Sequence, residues 1–255
     1  MADQRRFRPM WMPSPLAAPL SPLEAGAIHV WLVTLADVPA DGAADMLTPD
    51  EREQASRFMS ATLTRRFISK RAALRQILAT CTRRPAAELV FRTGAHGKPH
   101  LRECDGAAST LEFNVSDAGD YALVAVTMRR AIGVDIEAIR QIEDADDIVE
   151  HHFSAIERAA YRRLAPEQRP TAFFTAWTRK EAFIKAVGLG LHLSLDSFSV
   201  ALDAAAPARL IDIDGDPIKA AEWTLLPIKV PKDHVGAVVA RGPVSNCQIR
   251  TWPPG

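Results

Sequence analysis

This 255-residue sequence has no excess charge of either sign: 31 Lys and Arg cancel 31 Asp and Glu. No whole-molecule field draws it to nucleic acid or to an anionic membrane, so any anion site has to be local. Cysteine is scarce too. Cys81, Cys104 and Cys247 are odd in number, widely spaced and in no metal-ligand spacing, which suits a reducing cytoplasm. No apolar run approaches the roughly 18 residues of a membrane span. Near the N-terminus, prolines break up the apolar residues that a secretory signal would need, so residues 1–26 are expected to form a loose extension. What is present is core material. Hydrophobic residues make up 47% of the chain, and the length allows one large domain or two smaller ones.

The order of elements suggests two halves. Ala27 to Ala36 is a β-rich apolar run. Thr48-Pro-Asp-Glu51 supplies a cap, a proline for the first helical position and acids for the first turn, so a helix should start there. A second helix over Thr64 to Thr80 carries Arg65, Arg66, Lys70, Arg71 and Arg75 with no acid between them. Short strands follow at Leu89 to Arg92, Leu111 to Val115 and Tyr121 to Met128, with a tight turn at Gly94 to Pro99 presenting Lys98. Ala131 opens a second half: a strand, helical segments over Glu143 to Leu164, a helix over Phe173 to Val187, then further strands. The expected fold is α+β, with two similar α/β subdomains at residues 27–130 and 131–255, related by a pseudo-two-fold. The cleft between them is the expected site.

Two patterns in the second half carry chemistry. Asp135 and Glu137 lie two apart in a strand, so both carboxylates share one face while Val134 and Ile136 take the other. Like charges about 6–7 Å apart raise each other's pKa, a cost that a hard cation such as Mg²⁺ would remove. Two surface acids on an emerging strand would have the same spacing. In the helix, Phe173, Trp177, Ile184 and Val187 make an apolar stripe, and Glu181 and Lys185 sit one turn apart beside it. That pair is either a ligand with a proton handler or a surface ion pair worth about 0.3–0.5 kcal/mol. Gly188 and Gly190 fit a helix stop, and His151-His152 a helix surface.

Gly133-Val-Asp-Ile-Glu137, with Trp177-Thr-Arg-Lys-Glu-Ala-Phe-Ile-Lys185 about forty residues later, resembles the signature of the 4′-phosphopantetheinyl transferase superfamily. The two-halved layout is similar to the Sfp type, and Gly97-Lys-Pro99 and Phe113-Asn-Val-Ser116 extend the likeness. The resemblance implies Mg²⁺-dependent transfer of phosphopantetheine from coenzyme A to a serine of an acyl or peptidyl carrier protein, with Mn²⁺ as a substitute metal. It implies a cytoplasmic enzyme, and two halves sharing one site favour a monomer. Asp135, Glu137 and Glu181 would hold the metal, and Lys185 would face the phosphates. Arg66, Lys98, Ser116 and Asp117 match coenzyme A-binding positions, and Glu157 matches an acid that would help deprotonate the serine. Arg158, Arg162 and Arg163 are candidates for docking an acidic carrier.

One position departs from the family pattern. Asp117 stands where the family carries a histidine that contacts the 3′-phosphate of coenzyme A. A carboxylate cannot donate there, and the lost charge-assisted hydrogen bond costs about 1.5–3 kcal/mol unless Arg65, Arg66 or Arg71 compensates. Glu51 and Gln54, in place of family lysines, lower the positive charge of the rim further. These departures leave two other functions open: a coenzyme A- or carrier-binding module with weak or no turnover, and a metal-dependent diphosphate hydrolase using the same acids. Asp117→His should tighten coenzyme A binding without altering the metal requirement. Calorimetry showing equal or weaker affinity would overturn the contact assignment.

Overall fold

A computed structural model describes residues 23–38, 42–102, 109–203 and 207–252. Residues 1–22 of the expected extension, and Cys104, lie outside the described residues. The first half runs β1 (Ala27–Thr34), α1 (Pro49–Ser56), α2 (Ala61–Thr82), β2 (Val90–Thr93), β3 (Pro99–Arg102), β4 (Leu111–Ala118) and β5 (Tyr121–Met128). The second runs β6 (Ile132–Ala138), α3 (Ala145–His152), α4 (Ala155–Arg162), α5 (Arg169–Val187), β7 (Phe198–Val200), β8 (Leu210–Ile213), α6 (Pro217–Ala221), β9 (Trp223–Ile228) and β10 (His234–Arg241). The fold is α+β, as the sequence suggests, and the order of elements repeats. Each half goes from a strand through helices and a two-stranded ladder to a hairpin, with sheet orders β1-β5-β4 and β6-β10-β9.

The last strand crosses between the halves. β11 (Asn246–Trp252) pairs in parallel with β1, Ala27 opposite Asn246 and Val33 opposite Trp252, at the edge of the first sheet. The expected second subdomain, 131–255, thus gives its final strand to the first.

Alternation along the strands sets the layers. Ile28, Val30, Leu123 and Ala125 of one sheet meet Ile132, Val134, Ile136 and Val238 of the other in a core between the sheets. Trp31, Val33, Val124 and Val126 face the opposite way, onto Leu74, Ile77 and Leu78 of α2. Ala237 and Val239 pack on Phe183 and the small residues Ala182 and Ala186 of α5. The stack is helix, sheet, sheet, helix. No described helix is long and apolar enough to cross a membrane.

Local chemistry fixes the helices. Thr48 and Glu51 form a capping box that starts α1. Glu51 belongs to the core rather than the rim: it is buried, with Arg75 Nε at 2.8 Å and Arg71 Nη2 at 2.9 Å. Burial pushes its carboxyl up, but the Arg75 bond, the Thr48 amide and the Arg71 charge outweigh that and hold it below the ordinary value. α5 ends where expected, at Gly188 with φ +80°.

Of the described glycines, Gly133 marks the closest backbone approach, that of α5 on β6. A Cβ on Gly133 would lie 2.1 Å from the Ala182 carbonyl oxygen and 2.3 Å from the Ala186 nitrogen, so only glycine lets the helix backbone rest on this strand. Gly133→Ala should lift α5 and cost about 1–3 kcal/mol, read as a lower urea midpoint at unchanged slope.

Candidate active site

Gly133, Asp135 and Glu137 occupy the face of β6 that α5 covers, while Val134 and Ile136 enter the core between the sheets. The close approach at Gly133 carries Lys185 to Asp135 rather than to its helical neighbour Glu181. Lys185 Nζ lies 2.6 Å from Asp135 Oδ1 and donates to Ser116 Oγ at 2.9 Å. Ser116 Oγ in turn donates to Asp135 Oδ1 at 2.7 Å. One residue from β4, one from β6 and one from α5 thus meet across the seam. Asp135 is 2% exposed, and its Oδ2 is buried without a hydrogen-bond partner.

The electrostatics match the geometry. Burial raises the Asp135 carboxyl above its ordinary range despite the opposing Lys185, Ser116 and Ile136 amide. Glu137 is pushed up to about 6, chiefly by burial and by the Asp135 charge, with Glu181 adding and Arg140 and Lys185 opposing. Glu181 is raised by burial and by Asp135, against Lys185. Three acids that share one field disfavour each other's charge.

Glu181 and Lys185 line a cleft of about 670 Å³ between the halves, together with Lys98, Asn114, Trp177 and Leu195. Lys98 reaches it from the β2–β3 turn, and its ammonium donates to the carbonyls of Ile132 (2.8 Å) and Ala186 (3.3 Å). Burial lowers its pKa, with Glu112 opposing.

Other expected site residues are placed apart from this group. Arg66 is tied to Asp120, with Nε at 2.9 Å. Asp117 pairs with Lys70, and Arg71, one of the arginines expected to carry the 3′-phosphate, pairs with Glu51. Glu157 is not positioned to take a proton from a substrate. It is fully buried, accepting from the Ser154 and Val200 amides at 2.8 and 2.7 Å and pairing with Lys180 Nζ at 2.8 Å. Lys180 also donates to the Leu195 and Phe198 carbonyls, both at 2.7 Å. Of the docking arginines, Arg158 donates to the Phe153 carbonyl at 3.0 Å and Arg162 is paired with Glu150.

Three further side chains belong to the site or its seam without being expected there. Asn114 Oδ1 accepts from the Val134 amide at 2.9 Å and so ties β4 to β6. An asparagine inside an apolar strand is a signal of such a role. Trp177 and His152, expected as core and helix surface, both line the cleft.

Comparison with known proteins gives a consistent picture. Residues 36–129 match the family model described as 4′-phosphopantetheinyl transferase, N-terminal. Residues 131–239 match the one described as 4′-phosphopantetheinyl transferase superfamily. The chain is 34% identical over 233 residues to the 4′-phosphopantetheinyl transferase HetI of Nostoc sp., covering 90% of this chain and 92% of that one. It is 30% identical over 156 residues to the 4′-phosphopantetheinyl transferase Sfp of Bacillus subtilis, 61% of this chain and 66% of that one. A solved holo-(acyl-carrier-protein) synthase of Bacillus anthracis overlaps 44% of this chain and 96% of its own at 24% identity, with a TM-score of 0.36.

Lys185→Ala removes the ammonium that faces the buried Asp135. It should destabilise the protein by about 1–3 kcal/mol at pH 8. Because the Asp135 pKa is raised in the fold, acidification protonates the carboxyl and removes its need for a cation, so the deficit should shrink as pH falls. Urea unfolding of both proteins at several pH values checks this; a deficit that grows with acid would refute it.

Proposed function

This chain belongs to the 4′-phosphopantetheinyl transferase superfamily, and we propose that it moves the 4′-phosphopantetheine arm of coenzyme A onto a serine of an acyl or peptidyl carrier protein, releasing adenosine 3′,5′-bisphosphate. The observation that carries this reading is the gathering of Asp135, Glu137, Glu181 and Lys185 at the seam of the two halves, beside a cleft large enough for a small ligand. The repeated order of elements supports the inferred pseudo-two-fold. The enzyme is taken to be cytoplasmic and monomeric.

Asp135, Glu137 and Glu181 would hold Mg²⁺, or Mn²⁺ in its place. Among the described residues no three His, Cys, Asp or Glu side chains already stand as a ready metal cluster. Their chemistry nevertheless fits: the donors are all oxygens, as a hard cation requires, and Asp135 Oδ2 is buried and unpartnered. When bound, the ion supplies charge neutralisation on the donor's diphosphate.

The remaining work falls to the chain's own groups. The serine oxygen attacks the β-phosphorus, its proton passing to solvent water, and the bond to the leaving bisphosphate oxygen breaks, so positioning and charge stabilisation supply most of the rate. Lys185 turns its ammonium from Asp135 toward the transferring group and stabilises the charge that shifts there. Ser116 keeps Asp135 Oδ1 oriented during that turn. Lys98 sits at the cleft for the phosphate and adenine side of coenzyme A, and Arg66 joins it by leaving Asp120.

Loading of an apo carrier protein, followed by mass spectrometry, tests the proposal with coenzyme A and its 3′-dephospho form side by side. The wild type should add one phosphopantetheine. Glu181→Ala should lose at least about a hundredfold in rate while keeping its fold, because the Phe173 to Val187 stripe is untouched. Free bisphosphate without carrier modification would point to a diphosphate hydrolase, and no product to a binding module. Normal loading by a folded Glu181→Ala protein would overturn the site assignment.

A further inference from the structure

α5 borders a second cavity, one to two turns N-terminal to Glu181 and Lys185. Thr175, Thr178 and Arg179 line a separate cavity of about 300 Å³, closed on its other sides by the strand ends and connecting loop of β9 and β10. Lys229, Lys232 and His234 complete the polar lining, and no carboxylate contributes to it. The two threonines are 5% and 1% exposed, and both hydroxyls are buried without a hydrogen-bond partner. Buried hydroxyls are seldom left so, since each costs about 1–3 kcal/mol unpaired.

The cations are of two kinds. Arg179 is 3% exposed, and one of its amines is anchored on the Ala201 and Asp203 carbonyls at 2.5 and 3.3 Å. Burial lowers its pKa to about 10, with Asp203 opposing, so it stays charged at neutral pH. Lys229 and Lys232 are exposed and free to swing over the mouth. His234 is held at 2.8 Å by the neighbouring Asp233 carboxylate and packs edge-on against Tyr121. The wall is fixed by Gly236: a Cβ there would come within 2.9 Å of Val230 Cγ1, so the glycine lets the loop fold down onto β10. Pro227, Ile228, Val230, Pro231, Val235 and Ala237 make the rest of the lining apolar, so the cations and hydroxyls are its polar groups.

We propose that this cavity between the middle of α5 and the β9–β10 connection is an oxyanion site for a phosphate group, free or carried by a small monoester, bound by Arg179, Lys229 and Lys232 with Thr175 and Thr178 as hydroxyl donors. It is distinct from the catalytic cleft and does not depend on the transferase assignment. Arginine and lysine recognise phosphate through charge-assisted hydrogen bonds, and the volume is at the small end of the range for ligand pockets.

Calorimetric titration with inorganic phosphate, and with glycerol phosphate for the ester, at fixed ionic strength tests the site. Saturable binding is expected. The double variant Lys229→Ala/Lys232→Ala changes only exposed side chains, so it should fold normally and bind roughly tenfold more weakly or worse. Thr178→Val, which keeps the volume and removes the hydroxyl, should also weaken binding. Lys185→Ala removes a cation of the cleft and tells the two sites apart: any cleft component of the titration should weaken, while the component assigned to this cavity persists. The proposal is overturned if the wild type shows no saturable binding. It is equally overturned if binding disappears in Lys185→Ala yet persists in the double lysine variant, which would assign the phosphate to the cleft.

Discussion

Without a Cβ at residue 133, the backbone of α5 rests directly on β6, and the arrangement at the seam follows from that contact. A helix held off by ordinary side chains would leave Lys185 to pair locally with Glu181, four residues away. Pressed onto the strand, Lys185 instead reaches Asp135 at 2.6 Å and Ser116 at 2.9 Å. The price of this approach is the burial of Asp135 beside two other acids, which raises all three carboxyls. Close packing and charge strain are therefore two aspects of one contact.

β4 supplies the other half of the constraint. Asn114 takes the Val134 amide and Ser116 takes the Asp135 carboxylate, so alternate residues of one strand fasten consecutive residues of the next across the boundary between the sheets. β4 and β6 belong to different sheets, yet these two side-chain bonds join them where a ladder would otherwise continue. Lys98 adds a third tie by donating to Ile132 and Ala186. The cleft is thus lined by groups that also hold the halves together, which gives it a preorganised wall.

Much of this was legible because the relevant periods are local. The two-residue spacing of Asp135 and Glu137, the apolar stripe of α5 and the stop at Gly188 follow from strand and helix geometry alone. What failed were assignments that turn on which distant partner a side chain meets. Glu157 sits three residues after Ser154, the capping-box spacing, and in the fold it closes that box. Its other partner, Lys180, comes from a different helix. Four of the five basic residues of α2 form two rows at four-residue spacing: Arg66 and Lys70 face Asp120 and Asp117, whereas Arg71 and Arg75 face Glu51. The spacing gives the rows but not which row meets which acid. The parallel pairing of β11 with β1 joins the two ends of the described chain and has no periodic signature at all.

The same pairing alters what Asp117 means. Taken alone, a carboxylate at the β4–β5 hairpin repels a phosphate. In the fold it is half of a neutral ladder, Lys70 with Asp117 and Arg66 with Asp120, that ties α2 to the hairpin. These are partly exposed pairs, and such pairs contribute only about 0–1 kcal/mol each. A dianionic phosphate can therefore compete for Lys70 and Arg66 at little cost to the fold. On the proposed reading, the departure from the family histidine is less a missing contact than a masked one: Lys70 and Arg66 are present, each paired with an acid that a phosphate would have to displace. Affinity for a phosphate at this wall would then follow the difference between phosphate and carboxylate as partners for the same two side chains, rather than the charge of residue 117 alone.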